Sequence, residues 1–391
     1  MKKILIVNKS FELGGIQSSM VNMANELSRL YKVDLFIYNP NGVMKERLND
    51  SVRVLESSWR FKCLGMPLKE AIKTKNSKII AFRLFAAVWS KLFDNRLPIN
   101  IAIKHQPKMT GYDLAIAYHQ EQRKKTAVSG FTRVVDRCVE AKTKAAWLHF
   151  DSSTLDLDSE FNNPFYIKMN KIVCVSQSLM KNFSQRYTEL ESKMDYCYNF
   201  LLYEVIKEKS LEQPQVKFDN EKFICVSACR LTEEKALVRC IYAITDTLKK
   251  NSDVIWYIAG EGDERSKIQN VIKSLGLEKQ IILLGNQSNP YPYMKNADLL
   301  LNVSYHEAAP MVFFESKALG VPVMATRTSS AEELLCNGVD SFICDNSEAG
   351  IRRCFEELVN DRNRVKSAKK VLEDYSASNN MSLGKIEDLM D

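Results

Sequence analysis

EAAPMVFFESKALGVPV, residues 307–323, decides the reading of this chain. Two glutamates stand eight residues apart, Pro310 follows the first, and Gly320 ends an apolar run before Val321, Pro322 and Val323. Proline suits the first helical position, and glycine adopts the left-handed conformation that closes a helix. The stretch therefore reads as loop, helix, tight stop and buried strand. Glu307 falls in the loop, and Glu315 lies about a turn and a half inside the helix, roughly 7–8 Å along its axis. Such a helix start points N–H groups at whatever lies beyond the preceding strand, where phosphate or sugar oxygens are favoured. An ionised carboxylate there accepts paired hydrogen bonds from a diol.

Outward from this stretch, short apolar runs alternate with helical patterns almost throughout. Strands are expected at 223–228, 254–259, 281–284, 298–303, 321–325 and 341–344. In the first half they are expected at 3–8, 33–38, 113–118, 145–148 and 171–175, with a helix over 18–30. That alternation predicts α/β architecture with parallel, doubly wound sheets. Residues 201–219 are polar and lack strand periodicity, so they read as a linker. The expected domains are 1–200 and 220–375, two Rossmann-like halves facing across a cleft that would hold ligands at the carboxyl ends of the strands. The amphipathic tail, 376–391, is expected to return as a helix to the first domain.

The chain has 391 residues, 45% hydrophobic and 26% charged, which suits two globular domains. Ile4, Leu5, Ile6 and Val7 follow Met1-Lys2-Lys3, but the run ends at Asn8, too short for a signal peptide. With no apolar run near the ~20 residues of a membrane span, a cytoplasmic protein is expected. The ten cysteines include no CxxC pair and read as reduced and structural. Charge is concentrated in residues 60–108, where eleven Lys and Arg face only Glu70 and Asp94. Phe82, Phe85, Trp89 and Phe93 are interleaved among them, a composition suited to an anionic membrane surface. The alternative is a solvated helical pair packing its apolar face on its own domain. No nucleic-acid-binding motif accompanies the charge.

Four groups of residues follow predicted strands. Gly14 and Gly15 precede a helix, where backbone N–H groups could meet an anion. Arg230 and Lys235 could grip a diphosphate from two sides, or could be surface cations paired with Glu233 and Glu234. Gly260 and Gly262 form a turn with room for a ligand, or a plain strand–helix turn. The fourth group is the 307–323 stretch, with His306 as a neighbour shaping the loop. GxGxxG is absent, which argues against a nicotinamide enzyme. His105 reads as solvated, Trp256 as core, His149 as either core or site, and the DxD at Asp156 and Asp158 as a surface loop.

These residues resemble the family 4 glycosyltransferases of GT-B fold. EAAPMVFFESKALGVPV is similar to their E-x7-E segment, ACRLTEEK (228–235) to their Arg…Lys phosphate motif, and IAGEGDE (258–264) to their AGxG turn. LGNQSNPYPYMKNADLLLNVSYHE and ATRTSSAEELLCNGVDSFICD extend the resemblance through the second half. In the first half it rests on the glycine loop, YDLAIAYHQ and AAWLHFD. The resemblance implies that Glu315 holds the ribose of a nucleotide and that Glu307 lies by the donor sugar. Ala308, Ala309, Pro310, Met311 and Val312 would surround sugar and phosphates, and Arg230 and Lys235 would neutralise the diphosphate. Gly14 and Gly15 would border phosphate and acceptor, Asn286 and Gln287 the base, and His119 the donor sugar, with His149 and Asp151 on the next strand end. Ala308 stands where glycine is common, Ala309 where a larger residue is usual, and Ser341 where glycine is frequent.

The expected activity is a retaining transfer of sugar from a nucleotide-diphosphate sugar, UDP-linked before GDP-linked, without metal or cofactor. The expected acceptor is a glycan, lipid-linked, on the cytoplasmic face of a bacterial membrane, for surface-polysaccharide synthesis. The alternatives are a nucleotide-sugar epimerase of the same fold and a non-catalytic nucleotide-sugar-binding protein.

Overall fold

Ile4, Leu5, Ile6 and Val7 are wholly inaccessible to solvent, as a strand covered on both faces requires. They belong to β1 (Lys3–Ser10), which pairs in parallel with β2 (Lys32–Asn39) on one side and β4 (Met109–Ala117) on the other. Beyond these lie β3 (Arg53–Leu55), β5 (Val139–Leu148), β6 (Lys171–Cys174) and β7 (Met194–Tyr196), giving the order β3-β2-β1-β4-β5-β6-β7. The computed structural model describes residues 1–150, 159–219 and 221–391. Asp151, Asp156 and Asp158 lie outside the described residues.

The second sheet comprises β8 (Phe223–Ala228), β9 (Val254–Ala259), β10 (Ile281–Gly285), β11 (Leu299–Asn302), β12 (Val323–Thr326) and β13 (Ser341–Cys344). It is also parallel, in the order β10-β9-β8-β11-β12-β13. Trp256 of β9 is fully buried, and its indole N–H donates to the Ser227 hydroxyl at 3.1 Å. The chain divides into two compact units, Met1–Leu201 with Asn379–Asp391, and Leu202–Ser378. In each sheet the strand order reverses at one place, between β1 and β4 in the first and between β8 and β11 in the second. Open parallel sheets bind ligands at such switch points.

Several elements differ from the sequence expectation. β3 and β7 are three-residue edge strands with partly exposed side chains, too short to show periodicity. The stretch read as a linker contains the helix Tyr203–Lys209, which buries Ile206. That helix touches the helices Tyr291–Lys295 and Met311–Ala318 of its own unit. The tail forms the helix Asn380–Met390 against β4 and β5. No helix among the described residues is long and apolar enough to cross a membrane, and all ten cysteines are free thiols.

Residues 60–108 fold into the helices Trp59–Gly65, Leu68–Lys73, Ser77–Leu92 and Arg96–Lys104. The longest of these buries only Ala86 and Ser90 and leaves a stripe of Leu84, Val88 and Leu92 exposed at 42%, 55% and 66%. A row of ring contacts runs from Trp59 through Phe82, Phe85 and Trp89 to Phe93.

Candidate functional site

Arg230, Lys235 and Glu307 of the second unit follow the strands at the switch point of its sheet, while Gly260 and Gly262 follow β9 and Asn286 and Gln287 follow β10. β8 is followed by Arg230 and Lys235, and β11 by Glu307. Lys235 Nζ donates to Glu307 Oε1 at 2.7 Å. The same carboxylate oxygen accepts from the Ser304 hydroxyl at 2.7 Å and the Asn302 amide at 3.4 Å. The loop carrying Glu307 is held by its carbonyls. Arg239 donates to Val303 O at 2.8 Å, Thr326 to Ser304 O at 2.6 Å, Asn346 to Tyr305 O at 2.9 Å and Ser330 to Glu307 O at 2.9 Å. Arg239 also lies 4.1 Å from the Tyr305 ring centroid. A loop tied at four carbonyls fixes its side chains before any ligand arrives.

Lys235 stands directly before a left-handed backbone position. Ala236 has φ 51°, a left-handed conformation that an L residue adopts at a cost of about 1–2 kcal/mol. It joins the 3-10 turn Glu233–Lys235 to the helix Leu237–Lys250. Lys235, Asn302, Ser304 and Val312 line a concavity of about 230 Å³, counting the part open to solvent. Cys229 lines it too, and burial pushes its thiol up to about 12, with Glu307 adding to the rise and Lys235 opposing it. That thiol is protonated at neutral pH and is no nucleophile.

The helix after Glu307 runs Met311–Ala318, with Pro310 at the N-cap, so it begins one residue later than the sequence suggested. Pro310 has no side-chain acceptor to offer the N–H groups of the first turn. Gly320 has φ 73°, and the N–H groups of Val321 and Gly320 bond Ser316 O and Lys317 O, the paired bonds of a Schellman stop. Glu315 receives the Tyr291 hydroxyl at 3.3 Å. Tyr203, half-buried, has its hydroxyl pKa pushed up by burial, with the Tyr375 and Glu315 charges adding.

Arg230 does not join Lys235. Its side chain is 64% exposed and pairs with Glu234 at 3.0 Å, the surface arrangement that the spacing also allowed. Gly260 and Gly262 are explained by backbone proximity. A Cβ at Gly260 would stand 1.8 Å from Cys229 O, and one at Gly262 would stand 2.3 Å from Leu231 O. These glycines let the turn after β9 approach the turn after β8, so the room they make is filled by the protein's own chain. Gln287 is braced by Leu284 O at 2.8 Å and the Tyr293 hydroxyl at 3.2 Å, while Asn286 is exposed. His306 is exposed, and Ala308 and Ala309 are half-buried.

In the first unit Gly14, Gly15 and His119 follow the two strands at the switch point, and His149 follows β5. Gly14 caps the helix Gly15–Leu27 with extended backbone, and a Cβ at Gly15 would meet nothing within 4 Å. His119 stacks on Phe131 at 4.8 Å, and its Nδ1 lies 3.1 Å from Gln120 O. Burial pulls its imidazole down to about 4. His149, 8% exposed, sets Nε2 3.0 Å from Tyr118 O, and burial pulls it to about 3, with His119 adding. Both rings are neutral at pH 7. His105 is exposed. Among the described residues no three His, Cys, Asp or Glu side chains converge as metal ligands would.

Residues 208–373 match the model of the family described as glycosyl transferases group 1. The matched residues make up most of the second unit. One curated relative is a Campylobacter jejuni 4-alpha-N-acetylgalactosaminyltransferase acting on an N-acetylgalactosamine-N,N'-diacetylbacillosaminyl-diphospho-undecaprenol. It is 32% identical over 180 residues, 45% of this chain and 46% of that protein. Another is the capsular polysaccharide biosynthesis glycosyltransferase CapM of Staphylococcus aureus, 23% identical over 158 residues, 40% of this chain and 42% of that protein. The chain spans about half the length of the curated relatives it matches. Solved structures are similar over all of it. HepE of Anabaena, in complex with UDP and glucose, matches with a TM-score of 0.69 at 16% identity, covering 100% of this chain and 99% of that one. A glycosyltransferase from Rickettsia africae matches with a TM-score of 0.66 at 16% identity, covering 100% and 98%. At that identity the likeness establishes the fold, which is GT-B.

Within the second unit, sequence reasoning placed Lys235 and Glu307 in the loops after their strands and Glu315 in the helix that follows. It missed the residues that fix them, namely Ser304, Asn302, Ser330, Asn346, Arg239 and Tyr291. These are ordinary polar residues scattered over more than a hundred positions, and no spacing marks them as one group.

Proposed function

We propose that this protein is a retaining glycosyltransferase moving a sugar from a nucleotide-diphosphate sugar to a glycan acceptor, lipid-linked, in bacterial surface-polysaccharide synthesis. The observation that carries the reading is Lys235 Nζ held 2.7 Å from Glu307, with Lys235 and Val312 of the Met311–Ala318 helix lining one concavity. A cation, a carboxylate and a helix N-terminus at a sheet switch point suit an anionic, hydroxyl-rich donor. In this reading Lys235, joined by Arg230 once it leaves Glu234, stabilises the departing diphosphate. Glu307 and the backbone of 308–312 orient the sugar, Glu315 with Tyr291 holds the ribose, and Asn286 and Gln287 meet the base. The sugar's bond to the diphosphate breaks as the acceptor hydroxyl attacks from the same face. The leaving oxygen takes the hydroxyl proton, so catalysis is positioning and charge stabilisation. Gly14 and Gly15 border phosphate and acceptor and His119 the donor sugar, with His149 at the next strand end.

Uridine is the favoured base and guanosine the second; the UDP bound by HepE supports that order. The membrane part of the reading rests on the Leu84–Val88–Leu92 stripe and the exposed Lys69, Lys73, Lys75 and Lys78. Neutralising those four lysines should reduce sedimentation with anionic vesicles, and unchanged sedimentation would leave the helices as a solvated face. The deciding experiment is a thermal-shift panel of UDP, GDP, ADP and CMP on wild type and Glu315→Ala. One diphosphate should stabilise the wild type and lose that effect in the variant. No shift with any nucleotide would remove the donor site.

A further inference from the structure

The outer helical layer of the first unit holds a second concavity, of about 390 Å³ counting the part open to solvent. Arg96, Arg133, Arg137 and Lys168 surround it, with Asp136 as the lone carboxylate of the lining and the Phe165 ring as a wall. The cations come from different segments: Arg96 opens one helix, Arg133 and Arg137 lie on the helix Phe131–Cys138, and Lys168 follows the helix Ser159–Tyr166. Arg133 forms the floor. It is 4% exposed, and its guanidinium lies 4.4 Å from the Phe165 ring centroid. Its Nη2 donates to Asn95 Oδ1 at 2.8 Å and Glu121 Oε2 at 3.2 Å. Its Nε and Nη1, both shielded from solvent, have no partner among the described residues.

Glu121 cannot take those donors. It is fully buried and already accepts from the Ser129 hydroxyl at 2.6 Å, Gly130 N at 2.8 Å and Thr132 N at 3.0 Å. Around the mouth, Arg96 is tied to Asp94 at 2.6 Å, Lys168 to Asp136 at 3.2 Å, and Arg137 to the Asn100 amide oxygen at 2.8 Å. Among the described residues Arg137 therefore meets only a neutral acceptor, and Arg133 keeps two donors unused. A buried charged donor is normally paired. A buried, incompletely paired guanidinium beneath the concavity, and a rim arginine held by an amide oxygen, leave positive charge there for an anion that arrives from outside. Four cations converging on one concavity from separate segments match a dianionic phosphate better than a single carboxylate.

We infer that the concavity between Arg96, Arg133, Arg137 and Lys168 is a phosphate-monoester-binding site, separate from the Lys235–Glu307 site and independent of the function proposed for it. Two sources carry such a group: a soluble phosphate ester and a lipid head presented by a membrane. Leu92, Phe93 and Leu97, exposed at 66%, 58% and 39%, flank Arg96 in sequence, so both sources belong in the test.

The test is run in a Lys235→Ala background, so that phosphate held in the second unit does not contribute. Inorganic phosphate and glycerol 3-phosphate are titrated calorimetrically at constant ionic strength. Co-sedimentation is measured with vesicles containing phosphatidic acid, against phosphatidylglycerol vesicles of matched charge. Arg133→Gln strips the floor but leaves buried Glu121 without its cation, so the main variant is Arg96→Gln/Lys168→Gln, whose side chains are 60% and 56% exposed. Saturable binding of soluble phosphate, weakened about tenfold or more in the double variant, supports the site with a soluble ligand. A preference for phosphatidic acid that the double variant loses supports it with a lipid head. Binding to neither, or binding and preference unchanged in the double variant, overturns it.

Discussion

Lys235 and Glu307 are 72 positions apart in sequence, yet they form the shortest-reach ion pair that the site contains, at 2.7 Å with both side chains largely buried. Glu307 keeps Ser304 and Asn302 as partners when the lysine is removed, so Lys235→Ala should fold. Lys235→Ala and Arg230→Ala are each expected to slow sugar transfer by more than ~100-fold, the scale of losing one charge stabiliser of a leaving group. Rates of nucleotide release near those of wild type in both variants would remove the diphosphate from this place. His149 makes a different prediction. Its folded pKa, about 3, lies below the ordinary value of 6.5, so between those limits the unfolded chain binds the extra proton. Stability is therefore fully present above about pH 6.5 and falls with pH toward 3, by up to about 1.4 kcal/mol per unit for this ring. His119 adds a slope of the same sign down to about 4. Urea unfolding of the first unit at pH 7, 6 and 5 should show the loss, and His149→Gln should flatten it. An unchanged slope in the variant would mean that the imidazole titrates alike in both states.

At the level of the element, the stretch 307–323 was legible because helix ends have their own chemistry. Gly320 was readable as a stop, and the structure gives it φ 73° with open space where a Cβ would go. Gly320→Ala should thus cost only the backbone term, about 1–2 kcal/mol. Gly262→Ala is expected to cost more and to disturb the turn beside Arg230, because its Cβ would press on Leu231 O at 2.3 Å. Thermal unfolding of the second unit separates the two; equal losses would mean that the turns relax more freely than their contacts imply. The glycine pair at 260 and 262 also shows where sequence reading stops. A turn that admits a ligand and a turn that admits a neighbouring loop have the same composition. The helix Tyr203–Lys209 was hidden for a related reason: its apolar stripe rests on Ile206 within a run of charged residues. β3 and β7 are too short to carry a period of two.

Across the whole chain, the parallel sheets were readable from buried apolar runs, and so was the rule that sites follow strands. What could not be read was which strands are neighbours, because crossover order is set by packing between helices and sheet. The orders β3-β2-β1-β4-β5-β6-β7 and β10-β9-β8-β11-β12-β13 put Gly14 with His119, and Lys235 with Glu307, after the two strands at a reversal. The chain also leaves its first unit at Leu201 and re-enters it at Asn379. Asn379 marks that return by donating to Leu201 O at 2.8 Å, and Ser382 donates to Tyr198 O at 3.0 Å. Lys385 pairs with Asp195 at 2.8 Å, while Ile386, Leu389 and Met390 are 0%, 4% and 7% exposed. Three such side chains contribute about 2 kcal/mol each on burial, so the helix stabilises the first unit by about 5 kcal/mol. Deleting residues 379–391 should lower the urea midpoint of that unit by about 2 M and leave the unfolding of the 202–378 unit where it was. Two separable transitions, only one of them displaced, would establish that the last helix completes the first unit's core. A deletion that moved both transitions together would mean that the helix acts through the molecule as one cooperative body.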